Sequence, residues 1–264
     1  MKQFILNRKP GKDEVVRLEG SDYHYLVKVR RLAVGEYFPA LLPDGEETLV
    51  QILSIDGNVM TGKCSKHLQR SSAHSETKNP ECSMPPILLF QAMPKSDKMD
   101  LIVRQAAESG ITEIVPFISE FSVAKTNAAG QKFSRWERII KEARQQSGSK
   151  TATSIREPLT QKELFEYWNK YKPGGLGLLF HHRGLEQKSL HGYLDRIPGV
   201  IALTIGPEGG FSGTEVSMFL ENGFMPLTIG DTILRTETAA LYCTAAVRIL
   251  LLERNSWELK QEKT

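Results

Sequence analysis

The sequence predicts an α/β protein in which a small N-terminal β-barrel precedes a mainly parallel sheet with helices on both faces. Two observations carry this expectation. Before residue 70, short alternating or apolar runs follow one another with turn residues between them; after residue 86, strand-like and helix-like segments alternate. Between them lies a polar, proline-bounded stretch, residues 69–86, too poor in large apolar side chains to form core. The expected organisation is a barrel over residues 1–70, a linker over 71–86 and an α/β domain over 87–264.

In the first segment the runs Phe4-Ile-Leu, Val15-Val-Arg-Leu, Tyr37 to Leu42, Thr48 to Ile55 and Val59 to Lys66 read as strands. Asp44-Gly45 and Asp56-Gly57-Asn58 fall between runs and signal hairpin turns. A helical insert is expected over Ser21 to Arg31, where Tyr25, Leu26, Val29 and Leu32 recur at helical spacing. In the second segment, strands are expected at Ile87 to Ala92, Ile111 to Phe117, Gly177 to Phe180 and Val200 to Ile205. Helices are expected near Ser96 to Ser109, Lys132 to Gln146 and Gln161 to Tyr171. Ser212-x-x-Glu215 is a capping box opening a further helix that stops at Gly223, and the last helix starts near Thr236 and ends by about Arg254. Strands separated by helices imply parallel pairing.

The 264-residue chain carries 34 basic and 31 acidic residues, a formal charge of +3, so net charge neither demands nor excludes a polyanionic partner. Cys64, Cys82 and Cys243 are scattered singly, which fits a reduced, cytoplasmic compartment. His181 and His182 are adjacent and point in different directions; with His191 they lack a carboxylate or cysteine to complete a metal site, and no metal is expected. Arg248 interrupts the most apolar C-terminal stretch, so no membrane span is expected. Neither G-x-G-x-x-G nor G-x-x-x-x-G-K-[ST] occurs, which disfavours ordinary NAD or ATP use.

The most informative segments are Leu203-Thr-Ile-Gly-Pro-Glu-Gly-Gly-Phe-Ser212 and Ile229-Gly-Asp-Thr-Ile-Leu-Arg-Thr-Glu-Thr-Ala239. Each runs from an apolar, strand-like stretch into a glycine-bearing turn and then a helix start, and in an open α/β sheet such turns let backbone groups approach a bound nucleoside. Taken singly, the first is also a plain strand-to-helix turn. The second is also an N-cap by Thr236 or Thr238 with Glu237 favouring the helix dipole and Arg235 on the surface.

Together with Asp22-Tyr-His24-Tyr-Leu-Val-Lys-Val-Arg-Arg-Leu-Ala-Val-Gly35, Gln91-Ala-Met-Pro-Lys-Ser-Asp-Lys-Met-Asp100, Glu108-Ser-Gly-Ile-Thr-Glu-Ile-Val-Pro116 and Trp136 through Gly148, these segments resemble the ribosomal RNA small subunit methyltransferase E family of the SPOUT superfamily, over nearly the whole chain. The resemblance implies a PUA-like RNA-binding barrel followed by an α/β domain with a deep trefoil knot. It also implies methylation of N3 of a uridine in 16S ribosomal RNA of the small subunit, with S-adenosyl-L-methionine as methyl donor and an active site completed in a homodimer. Matching positions put Gly206, Glu208, Gly210, Ile229, Gly230, Leu234 and Thr236 around the cofactor, mostly through backbone atoms. Arg235 is the candidate for stabilising the anionic base or engaging the adjoining phosphate, and Glu237 for orienting Arg235 or accepting a proton.

N3 lies on the pairing edge, so the target must be single-stranded or extruded. His24, Lys28, Arg30 and Arg31, with Tyr23 and Tyr25 beside them, are a candidate footing for RNA; alternatively Tyr25 and Leu26 pack the barrel and the charges are solvated. Lys95 and Lys98 are candidates for a second phosphate contact, or surface charge at a helix start. The sequence departs from the family pattern at Phe121, where arginine is common, at Gln145-Gln-Ser-Gly-Ser149, where Glu-Gln-Ser/Cys-Gly-Arg is usual, and at His181-His-Arg183, where His-Pro-Glu is usual. These exchanges keep two rival readings in view, a knotted methyltransferase acting on transfer RNA and a non-catalytic RNA-binding assembly protein.

Overall fold

The computed structural model describes residues 3–66, 84–95, 97–122, 129–182 and 184–261; Cys82, Arg183 and most of the expected linker lie outside them. Two compact units divide the chain: Met1–Lys78 with Arg144–Ala152, and Asn79–Ala143 with Thr153–Thr264.

The first unit is built on an antiparallel sheet of β1 (Val15–Glu19), β2 (Tyr37–Leu41), β3 (Glu47–Asp56) and β4 (Val59–Lys66) in the order β1-β4-β3-β2. The hairpins turn where the sequence expects, with Gly45 and Gly57 at positive φ. Phe4 to Leu6 runs alongside β2 through a parallel bridge from Ile5 to Leu41. Alternate residues of the strands, among them Val16, Leu18, Phe38, Ala40, Val50 and Ile52, close on Phe4, Leu6, Met60 and Leu26 to form the core. The expected insert forms as α1 (Gly20–Tyr23), which widens at once into a π-helix over His24–Val29. Its extra residue per turn keeps Leu26 buried while His24, Lys28 and Arg30 stay outside. The segment Arg144–Ala152 joins this unit, with Arg144 donating to the Pro43 carbonyl at 3.3 Å and Lys150 paired to Glu47 at 2.7 Å.

The second unit holds a six-stranded, all-parallel sheet in the order β10-β8-β9-β5-β6-β7, formed by β5 (Ile87–Ala92), β6 (Glu113–Phe117), β7 (Ser154–Ile155), β8 (Gly175–Phe180), β9 (Val200–Ile205) and β10 (Phe224–Leu227). The central strands β5 and β9 are buried at every residue, which is why they read as continuous apolar runs rather than alternations. Alternate side chains then face two separate cores. Leu89, Ile114, Leu178 and Leu203 pack on α2 (Lys98–Glu108), α3 (Ala129–Ser147) and α7 (Thr236–Gln261). Leu88, Phe90, Val115, Phe117 and Ala202 pack on α4 (Gln161–Trp168) and α6 (Gly213–Glu221). Helices therefore cover both faces, as the sequence predicts. The short α5 (Leu190–Tyr193) and β7 carry no sequence expectation, and α7 runs past the expected end near Arg254.

Candidate active site

The carboxyl ends of three neighbouring parallel strands, β10, β8 and β9, converge on one cavity of about 590 Å³ in the second unit. Each strand contributes the segment that follows it: His181 and His182 after β8, Gly206 to Phe211 after β9, and Thr228 to Thr236 after β10. Ligand sites in open α/β sheets lie at this edge because backbone groups and helix N-termini face outward there. Gly210 and Gly230 hold φ of 71° and 74°, conformations that would strain any other residue in those turns. The first turn is closed by the Gly210 amide donating to the Pro207 carbonyl at 2.9 Å.

All seven residues expected around the cofactor, Gly206, Glu208, Gly210, Ile229, Gly230, Leu234 and Thr236, line this cavity, and so does Arg235. Their side chains serve different ends. Thr236 is buried, and its hydroxyl donates to the Gly206 carbonyl at 2.7 Å. The Glu208 carboxylate accepts from the Lys95 backbone amide at 3.1 and 3.2 Å and pairs with Lys98 at 2.9 Å. Partial burial pushes the Glu208 carboxyl up, but Lys98 and the surrounding amides outweigh it and hold the group below its usual range. Arg235 is exposed and forms no ion pair among the described residues.

Glu237 does not meet Arg235. It lies in the first turn of α7 with its carboxylate 3.5 Å from Lys98, so Lys98 bridges two acids from different elements and lines the cavity itself. The expected phosphate contact at Lys98 is thus already partnered, while the Lys95 side chain is exposed. His24, Lys28, Arg30 and Arg31 are all exposed in the first unit. Their aromatic neighbours are not: Tyr23 is buried with its hydroxyl on the Gly57 carbonyl at 2.9 Å, and Tyr25 stacks on Phe4, so the packing alternative holds for the rings.

His181 and His182, expected from their adjacency to point in different directions, instead stack with ring centroids 4.8 Å apart on the cavity wall, where the strand order brings them. Phe121, the departure from the family arginine, rests against Gly209, where an added Cβ would come within 3.0 Å of its own Cβ. Cys243, from the second turn of α7, also lines the cavity, and burial pushes its thiol up to about 12.

The donor set fits a nucleoside carrying a short polar tail: apolar walls from Phe180, Ile205, Leu227 and Ile229, glycine turns with open backbone, and no lysine-bearing phosphate loop. The parallel sheet with a cavity at its carboxyl edge is that of the α/β proteins that bind nucleoside-type ligands there, and residues 80–248 match the model of the RNA methyltransferase domain. A ribosomal RNA small subunit methyltransferase E 2 from Borreliella burgdorferi is 32% identical over 268 residues, 97% of this chain and 100% of that protein. The Synechocystis ribosomal RNA small subunit methyltransferase E is 31% identical, covering 90% of this chain and 74% of its own length. The crystal structure of a ribosomal RNA small subunit methyltransferase E from Neisseria gonorrhoeae bound to S-adenosyl methionine superposes with a TM-score of 0.75 at 25% identity, over 95% of this chain and 98% of that one. The chain belongs to the ribosomal RNA small subunit methyltransferase E family.

Proposed function

We propose that the protein methylates N3 of a uridine in 16S ribosomal RNA of the small subunit, using S-adenosyl-L-methionine as methyl donor. The observation that carries this reading is that both glycine turns and Arg235, which forms no ion pair among the described residues, line the same cavity. The donor supplies an electrophilic methyl group on a sulfonium. The chain's own residues do the rest. The turns Gly206 to Gly210 and Ile229 to Leu234 hold the reactant by backbone contacts and fix its direction, which is the larger part of catalysis when two reactants must meet in line. Arg235 faces the incoming base and stabilises negative charge on a uracil oxygen as N3 gives up its proton to water. The N3 lone pair forms the new N–C bond while the S–C bond breaks, leaving a neutral thioether. Glu237 acts on the cavity through Lys98.

The same reading includes a PUA-like barrel for RNA over residues 1–70 and a threaded C-terminal lobe over residues 87–264, with a cytoplasmic place of work. His24, Lys28, Arg30, Arg31 and Lys95 serve as phosphate contacts. It also includes a homodimer. In support, Leu241, Tyr242, Ile249 and Leu252 are exposed on α7, and helical geometry gathers them within about 100° of arc, an apolar stripe of the kind that a partner covers. Among the described residues no helix is long and apolar enough to cross a membrane.

The test is incubation of the purified protein with labelled S-adenosyl-L-methionine and either small ribosomal subunits or transfer RNA. Label should enter the small-subunit RNA and map to a uridine. Label in transfer RNA alone would overturn the substrate, and failure to bind the methyl donor in calorimetry would leave only an RNA-binding protein.

A further inference from the structure

Gln91 is fully buried at the carboxyl end of β5, in a strand whose other five residues are apolar. Its amide nitrogen donates to the Ala92 carbonyl at 2.8 Å and to Thr236 Oγ1 at 3.0 Å. A carbonyl only accepts, so the Ala92 contact fixes which end of the amide is nitrogen. The Thr236 hydroxyl spends its one proton on the Gly206 carbonyl at 2.7 Å, and so receives from Gln91. Thr236 thereby joins the turn that follows β9 to the start of α7, and Gln91 ties that junction to the end of β5. Gly206 and Thr236 line the cavity, whereas Gln91 is buried and does not.

Packing does not account for a glutamine at this place. Its Oε1 is buried and forms no hydrogen bond among the described residues, a loss of stability that an apolar side chain of similar volume would avoid. We infer that Gln91 is a positioning residue for methyl transfer: through Thr236 it sets the separation of the two glycine turns, and with it the width of the cleft that receives the methyl donor. The inference rests on the function proposed above.

The experiment compares wild type, Gln91→Leu, Thr236→Val and Thr236→Ser in two readouts, thermal unfolding of the ligand-free protein and calorimetric affinity for S-adenosyl-L-methionine. Gln91→Leu should unfold at the same temperature or higher while its affinity falls about three- to tenfold, the worth of one well-placed hydrogen bond. Steady-state methyl transfer should show a raised KM for the methyl donor and an unchanged KM for RNA. Thr236→Val should reproduce the loss, and Thr236→Ser should recover most of it, because only the hydroxyl is required. A lower unfolding temperature with unaltered affinity in Gln91→Leu makes the residue merely structural and overturns the inference. If that variant does not fold, equal affinities in Thr236→Val and Thr236→Ser overturn it just as well. Wild-type protein that does not bind the methyl donor defeats the parent reading and this one with it; binding by wild type and Gln91→Leu alike defeats this one alone.

Discussion

At the scale of single residues, Arg235 separates chemistry from binding. It is exposed on the cavity wall, and Lys98 rather than Arg235 occupies Glu237, so the guanidinium is left to meet the substrate. Arg235→Ala should lower single-turnover methyl transfer by about 100-fold or more, the scale of removing one charge-stabilising donor, with affinity for the methyl donor within about twofold of wild type. Normal turnover in that variant would take Arg235 out of the mechanism. Cys243 gives a second prediction. Its thiol titrates near 12 in the folded protein against an ordinary 9.0, because burial opposes the thiolate. The folded state therefore keeps this proton after the unfolded chain has released it, so the contribution is whole below pH 9.0 and is lost as pH rises towards 12. Denaturant midpoints of wild type should fall more steeply over that window than those of Cys243→Ala; parallel slopes would count against the buried thiol. The seven positions expected around the cofactor come from the family resemblance, and the fold gathers all of them on one cavity because the two glycine turns follow neighbouring strands. Gln91, His181 and His182 stand in segments that the resemblance covers, but their contacts arise only where strands distant in sequence become neighbours.

At the scale of elements, the helix starts were the most legible feature, since a cap is written in four consecutive residues. The Ser212 box forms as expected: Ser212 Oγ accepts from the Glu215 amide at 3.2 Å and Glu215 accepts from the Ser212 amide at 3.0 Å. The structure adds a contact that no local pattern could announce. The other Glu215 oxygen accepts from the Glu120 amide at 3.0 Å, tying α6 to the turn after β6, and the side chain is buried in consequence. Glu215→Ala leaves two amides without an acceptor and should destabilise the protein by about 2–3 kcal/mol in urea unfolding, more than a solvent-facing cap. Glu215→Gln, which keeps one acceptor oxygen, should lose less. If the two variants unfold alike, water has replaced the carboxylate and the added link is weak. The helical insert is legible in its spacing but the π-helix at His24–Val29 is not, and the extra residue per turn leaves Val29, one of the residues counted in that spacing, exposed. The two-residue β7 and four-residue α5 are too short to show any period.

At the scale of the whole molecule, a formal charge of +3 says little about an RNA partner, and placement says more. Lys28 on the short helical segment, with Arg30 and Arg31 just past its end, is exposed in the first unit, while the aromatic rings of the segment turn inward to the core. A footing made of charge without stacking predicts binding dominated by counterion release, hence steep salt dependence and little preference for base identity. Each phosphate contact to single-stranded RNA contributes about −0.7 to the slope of log affinity against log salt. Replacing Lys28, Arg30 and Arg31 together by glutamine should therefore flatten that slope by about 2, because three contacts are lost. Affinity for the methyl donor should stay as it is, since the cavity lies wholly in the second unit and none of the three residues lines it. Fluorescence anisotropy with a short uridine-containing RNA across a salt series gives the slope, and calorimetry gives the second quantity. A slope equal to that of wild type would mean that these cations are solvated and that RNA is held elsewhere. A weakened methyl-donor affinity would mean that the substitutions had disturbed the fold rather than the footing.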